Sequence, residues 1–281
     1  MANAEQALRW NGDTGRRWVA ERERHHAVRR SLTPHLLRAA ALAPGDRVLD
    51  VGCGCGETTI AAARSVGPGG AVDGLDLSAP ALAVARESAA AAGVPGIRFV
   101  QGDAQTHPLA PAGFDVVLSS FGVMFFEDPD AAFANLRSGL RPAGRLAFLC
   151  WQDEASNEVF ALAPRAVAAH ATLPPGGGDG DAFTDPWRIG DLLVRAGFVD
   201  VRVEGRREPA RLGSDVDDVL GYLRGTSRVR ELLGRLDDQR TVERVLDALT
   251  EDLTARRRAD GVWVEAAVWL VTAVAPPAGS R

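Results

Sequence analysis

No lysine occurs in the 281 residues of this chain; all 32 basic side chains are arginine. That absence removes Schiff-base chemistry, a pyridoxal-phosphate linkage and a P-loop lysine from consideration. It also leaves no side-chain amine to act as a titratable base, because arginine stays charged. Cysteine is scarce. The three present, Cys53, Cys55 and Cys150, are odd in number, so no disulfide framework is expected, and a reducing, cytoplasmic setting is. Cys53 and Cys55 form a C-x-C pair without a second pair at zinc spacing, and no metal site is expected. No run approaches the ~20 apolar residues that span a bilayer, and Met1–Trp10 has no apolar stretch resembling a signal peptide. Positive charge is also in short supply. The net charge is −5, where a nucleic-acid binder more often carries a basic excess. Neither a membrane nor a nucleic acid is therefore an expected partner, and a monomer or homodimer is.

What is present is a repeating alternation. Short apolar runs at Arg47–Val51, Ala71–Leu77, Ile97–Gln101, Phe114–Ser119 and Gly144–Trp151 read as strands. Helical stretches at Glu57–Val66, Ala79–Ala92 and Asp130–Leu140 separate several of them. This predicts an α/β fold, a doubly wound Rossmann-like sheet, mostly parallel and covered on both faces. Residues 1–43 read as an N-terminal helical cap, with Pro34 separating two helices. The cofactor-binding core is expected over 44–208 and 261–275, and a helical lid or substrate insertion over 209–260, broken near Gly225 and Gly234. Past Trp151, the segment Pro174–Gly180 reads as a flexible loop, Trp187–Ala196 as a helix and Phe198–Glu204 as a strand. Val262–Val274 reads as an antiparallel last strand, and 276–281 as a disordered tail.

Ligands of such sheets sit beyond the carboxyl ends of the strands, where the strand order reverses. The loop after the first strand is Asp50-Val51-Gly52-Cys53-Gly54-Cys55-Gly56. Gly52, Gly54 and Gly56 let a ligand approach the backbone closely, and the loop opens into a helix N-terminus. Dinucleotide folds use G-x-G-x-x-G around a pyrophosphate. The pattern D-x-G-x-G-x-G differs, and Asp50 would repel a pyrophosphate, which argues against a dehydrogenase. Asp50 suits a cofactor bearing an amino group and a sulfonium, and is expected to hold its methionine part directly or through water. Asp76 ends the second strand about 20 residues on, where a carboxylate accepts from ribose hydroxyls; the cap of the following helix is better served by Ser78. Asp103 can accept from an adenine amino group, with the Ala104 N–H meeting a ring nitrogen. Ser119-Ser120-Phe121-Gly122 ends the fourth strand where cofactor and substrate would meet.

These motifs resemble the class I S-adenosylmethionine-dependent methyltransferases, in the branch of the ubiquinone/menaquinone-biosynthesis C-methyltransferases. Val48–Gly56 is similar to that family's first motif, Gly74-Leu75-Asp76-Leu77-Ser78 to its ribose motif and Gly102-Asp103-Ala104 to its adenine motif. Ser120-Phe121-Gly122 resembles its fourth-strand motif, and Leu136–Leu149 its helix, turn and fifth strand. Ala143 stands where the family usually has glycine. The match covers about 44–151, and Trp187–Val203 more loosely. The resemblance implies S-adenosylmethionine as cofactor, with Thr59, Asp76, Leu77, Asp103, Ala104 and Ser120 among its contacts. It also implies that the N-terminal segment folds over the cofactor, with Trp10 or Trp18 beside it.

The expected activity is in-line methyl transfer to a small-molecule acceptor, aromatic or polyketide-like, at oxygen or carbon. Phe121, Met124, Phe125 and Trp151 are the expected walls of an apolar substrate pocket. No catalytic residue is singled out. One histidine can serve as a base for a hydroxyl acceptor, and the sequence does not choose among the five. His25 and His26 point about 100° apart on a helix and are not expected to share a metal. The alternatives are a fold repurposed for cyclisation or decarboxylation, and a protein or RNA methyltransferase, with RNA disfavoured by the acidic charge.

Overall fold

The structure is a computed structural model that describes residues 3–172, 183–236 and 238–279. Four helices open the chain: α1 (Ala4–Asn11), α2 (Asp13–Ala20), α3 (Arg22–Arg29) and α4 (Thr33–Ala40). Two helices parted at Pro34 were expected. Pro34 instead sits in the first turn of α4, where its missing N–H has no helical partner to lose. The earlier breaks fall at Gly12 and Glu21.

The core then follows as β1 (Arg47–Val51), α5 (Glu57–Val66), β2 (Ala71–Asp76), α6 (Ala79–Ala92), β3 (Ile97–Gln101), β4 (Phe114–Ser120), α7 (Pro129–Gly139) and β5 (Leu140–Trp151). Beyond it come α8 (Glu158–Ala168), α9 (Pro186–Arg195), β6 (Val199–Gly213), α10 (Val216–Gly225), α11 (Ser227–Gly234), α12 (Gln239–Ala255), β7 (Arg257–Arg258) and β8 (Gly261–Val274). The sheet order is β3-β2-β1-β4-β5-β8-β6, with β7 beside β8. Strands β1 to β5 pair in parallel, while β8 runs antiparallel to both β5 and β6. The expected doubly wound, mostly parallel sheet with an antiparallel last strand is the one observed.

Side chains alternate across a strand, and β1 shows what this does. Val48 packs on one face with Leu32 and Leu36 of the N-terminal helices and Ala62 and Val66 of α5. Leu49 and Val51 pack on the other with Phe133 of α7 and Phe148 of β5. Asp50 shares the parity of Val48, so the fold buries a carboxyl beneath α5 and the N-terminal helices.

Two elements depart from the sequence reading. Helix α8 was not predicted; it carries Pro164 in its interior, a residue that removes one helical hydrogen bond. Strand β6 runs to Gly213, past the core boundary set at residue 208, because Pro209–Gly213 stay paired with β8. Between β6 and β7 the chain forms three helices, α10 to α12, the first ending at Gly225 and the second at Gly234. The glycine-rich segment 174–180 lies outside the described residues, as do 280 and 281 of the tail. No helix among the described residues is long and apolar enough to cross a membrane.

Candidate active site

The strand order reverses between β1 and β4, and their carboxyl-terminal loops meet there. Gly52 has φ +66°, and a Cβ on it would fall 2.6 Å from Gly122 Cα. A Cβ on Gly122 would fall 2.5 Å from the Val51 carbonyl oxygen. The two loops touch backbone to backbone, so neither position accepts a side chain. Ser119 fastens them: its hydroxyl donates to Val51 O at 2.7 Å and accepts from Gly122 N at 3.1 Å.

A crevice with about 890 Å³ of non-atom space, part of it open to solvent, lies above these loops. Asp76, at the end of β2, is one wall. Gly54 N donates to its Oδ2 and Ser78 N to its Oδ1, both at 2.8 Å. Burial raises its pKa, and these backbone donors oppose the rise. Ser78 caps α6 by accepting from Ala81 N at 3.2 Å, which leaves Asp76 no capping duty. Leu77 lines the crevice, while its carbonyl is engaged by Asn11 Nδ2 and Gln101 Nε2. Asp103 and Ala104 form the far end. Asp103 Oδ1 accepts from Gln105 N at 3.0 Å, which holds the carboxylate in a tight turn.

Ser120 also lines the crevice, and its buried hydroxyl has no hydrogen-bond partner among the described residues. Buried polar atoms are normally paired, so this oxygen marks a place for a ligand atom. Phe121, with φ +69°, stands beside it. A bulky residue in the left-handed region is strained, and such strain gathers at functional sites. Phe125 and the two tryptophans complete an aromatic corner. Trp10 meets Trp18 edge-on with centroids 5.6 Å apart, and Phe125 at 5.1 Å.

Asp50, Thr59 and Gly56 take a different place. None of them is a crevice wall. Asp50 is fully buried; its Oδ2 accepts from Thr59 Oγ1 at 2.6 Å, and its Oδ1 has no partner among the described residues. Burial pushes its pKa up to about 7 against the Thr59 bond. The residue sits behind the glycine loop as a buried proton-binding group. Of the expected substrate walls, Phe121 and Phe125 line the crevice, Trp151 lines a second cavity, and Met124 lines neither. Met124 Sδ instead accepts from Trp151 N at 3.5 Å, and Trp151 stacks on Phe121 at 4.2 Å.

The sequence reading missed Asn3 and Arg29, both crevice walls. Asn3 Oδ1 is buried without a partner among the described residues, and the Asn3 side-chain amide nitrogen donates to Asp103 Oδ1 at 3.5 Å. The Arg29 side chain is 17% exposed, and the carboxylate paired with it, Glu57, is 3.8 Å away. It makes no hydrogen bond among the described residues. Its guanidinium also lies 5.4 Å over the Trp18 ring. Burial lowers its pKa, with Glu57 opposing. No spacing rule marks either residue, since both belong to helical cap segments far from the glycine loop.

Such a sheet and crevice define a Rossmann-like nucleotide-cofactor fold. Residues 48–144, about a third of the chain, match the methyltransferase domain family. The chain is 37% identical to a nocamycin O-methyltransferase of Saccharothrix syringae over 173 residues, 57% of this chain and 61% of that one. It is 38% identical to the ubiquinone/menaquinone biosynthesis C-methyltransferase UbiE of Stutzerimonas stutzeri over 120 residues, 42% of this chain and 46% of that one. The chain thus spans about half to three fifths of the length of these relatives. Among solved structures it resembles a Haemonchus contortus phosphoethanolamine N-methyltransferase 2. There the TM-score is 0.53 at 21% identity, over 87% of this chain and 52% of that one.

Proposed function

We propose that this protein transfers a methyl group from S-adenosylmethionine to a small-molecule acceptor, aromatic or polyketide-like, at oxygen or carbon. The observation that carries the reading is Asp76. Its carboxylate is fixed by two backbone N–H groups on the wall of a crevice that lies at the switch point of a methyltransferase domain. The unpaired atoms around it fit the cofactor. Asp76 would take the ribose hydroxyls, and Asp103 with the Ala104 N–H the adenine edge. Ser120 offers a free hydroxyl, and Arg29 a cation for a carboxylate.

When bound, the cofactor supplies an electrophilic methyl on a sulfonium whose departure leaves a neutral thioether. The chain's own task is then alignment and exclusion of water. Trp10, Trp18 and Phe125 wall off that space, and aromatic faces favour a nearby cation. The nocamycin and quinone enzymes act on small molecules by their names, which supports the acceptor class. Cys53 and Cys55 are buried, in keeping with a cytoplasmic protein.

Calorimetry with S-adenosylhomocysteine tests the cofactor site. Asp76→Ala removes a charged acceptor worth roughly 1.5–3 kcal/mol, so affinity falls about 10- to 150-fold. Unchanged affinity in a variant with an unchanged melting transition overturns the assignment. Accumulation of S-adenosylhomocysteine during turnover separates methyl transfer from cyclisation or decarboxylation.

A further inference from the structure

A second cavity, of about 1010 Å³ of non-atom space, lies among α3, α8, α10 and α11. Trp18 belongs to its wall and to the wall of the crevice. The stacked pair Phe121 and Trp151 bridges the two spaces in the same way, Phe121 facing the crevice and Trp151 the cavity. Every residue of the second wall falls outside 48–144. Residues 48–144 therefore supply most of the crevice wall, joined by the cap residues Asn3, Trp10, Trp18 and Arg29, whereas the cap, Trp151, α8 and the helices after β6 supply the cavity beside it.

The wall is aromatic and aliphatic, with Trp18, Trp151, Phe160 and Tyr222 as its large faces. Its cations are already matched. Arg24 is paired with Asp218 at 2.6 Å and Glu21 at 3.2 Å, and Arg228 with Glu154. The cavity offers no free charge to an ionised ligand. Two polar groups remain. Neither the His25 imidazole nor the Tyr222 hydroxyl makes a hydrogen bond among the described residues, and both line the cavity. Their rings lie 6.3 Å apart, edge to face. His25 is also stacked on Trp18 at 3.7 Å, so one polar group stands at the partition between the two spaces. Burial, with Arg29 and Arg24 nearby, pushes its pKa down to about 3. The imidazole is neutral and presents one donor and one acceptor.

We propose that this second cavity is the acceptor site, and that it takes an uncharged, planar aromatic molecule whose hydroxyl hydrogen-bonds to His25 and Tyr222. The proposal rests on reading the crevice as the methyl donor's site, and it adds where the acceptor lies and why a charged one is refused. His25 in this environment is a positioning residue. A group held neutral so far below the usual imidazole range takes a proton from a hydroxyl poorly, but it orients one well.

The test uses 2-naphthol and 2-naphthoate as probes, titrated into the full-length protein with and without S-adenosylhomocysteine at pH 7.5. 2-Naphthol binds, and 2-naphthoate binds at least about tenfold more weakly, a loss of about 1.4 kcal/mol. Val159→Trp fills the cavity from α8, where Val159 is half-buried. It weakens 2-naphthol at least about tenfold and leaves S-adenosylhomocysteine affinity within about twofold. Tyr222→Phe, which keeps the ring, weakens 2-naphthol by roughly 2- to 12-fold, the worth of one neutral hydrogen bond. The proposal is overturned if 2-naphthol does not bind, binds Val159→Trp as tightly as wild type, or is matched by 2-naphthoate. Failure of S-adenosylhomocysteine alone to bind strikes the cofactor reading instead, and the titrations without it still decide the acceptor site.

Discussion

Arg29 gives the sharpest prediction. Its guanidinium is largely enclosed, lies over Trp18, and has Glu57 only at 3.8 Å. A cation in that position lacks the hydrogen bonds that normally accompany burial. The cofactor assigned to the crevice ends in an amino acid, and the carboxylate is that cofactor's one anionic group. A charge-assisted hydrogen bond to a carboxylate is worth roughly 1.5–3 kcal/mol. Arg29→Met should then weaken S-adenosylhomocysteine by about 10- to 150-fold.

Affinity for 5′-methylthioadenosine, which keeps the ribose, adenine and sulfur but lacks the amino acid, should change by less than about twofold. Two calorimetric titrations on each protein measure the difference. The same substitution should raise the stability of the ligand-free protein by about 1 kcal/mol, because it removes a poorly paired buried cation. Chemical denaturation reads that second sign. Equal weakening of both ligands would show that Arg29 acts through the fold. No weakening of either would place the carboxylate elsewhere. Each result refutes the reasoning, and neither can be mistaken for the expected one.

Asp50 should couple binding and stability to pH. Its folded pKa is raised to about 7 from 3.8, so the folded state holds a proton that the unfolded state has released. Stability from this group is complete below about pH 4 and falls as pH rises to about 7. Denaturation at pH 8 should find Asp50→Asn more stable than wild type, by up to about 4 kcal/mol. A cationic cofactor favours the ionised carboxyl, so S-adenosylmethionine should release up to about one proton at pH 6 and none above pH 8. Calorimetry in two buffers checks this, and persistence of the release in Asp50→Asn would sink it. Ala143 holds φ +59° in the turn inside β5, a conformation that costs a residue with a Cβ about 1 kcal/mol; Ala143→Gly should raise the denaturation midpoint without changing cofactor affinity. Gly52→Ala must push Gly122 away from a 2.6 Å contact, so it should lower both cofactor affinity and the melting temperature.

What could be read from the sequence follows from how local each signal is. The strands β1 to β4 and the helices α5 to α7 stand where the apolar runs and the caps put them, because each is specified by its own residues. The loop from Asp50 to Gly56 and the carboxylates Asp76 and Asp103 are local in the same sense: each ends a strand, and the strand ends share one edge. Asp50 was legible as a landmark but not in its position. Its parity with Val48 buries it behind the loop, a consequence of strand alternation that the motif alone does not display. Helix α8 was hidden by Pro164. Arg29 and Asn3 carried no signal because their place depends on how the cap folds back. Asn11 draws that cap in, bonding Leu77 O and Ala79 N through one amide.

The same contrast explains why the two spaces differ in how they are built. A crevice for one fixed cofactor needs carboxylates and backbone donors at set points, and a compact run of strand ends supplies them. An acceptor cavity has to be shaped, and its shape here comes from residues scattered between Trp18 and Leu232. Trp18 is where the two meet. One ring borders the crevice, stacks on His25 and takes Arg29 over its face. A change in how the cap docks therefore moves a crevice wall, the carboxylate's partner and the acceptor's hydrogen-bonding group together. Trp18→Phe should consequently alter affinity for both S-adenosylhomocysteine and 2-naphthol, whereas Val159→Trp touches only the second. If Trp18→Phe weakened one ligand and spared the other, the two spaces would not share a wall in the sense argued, and the coupling would have to run through Phe121 and Trp151 instead.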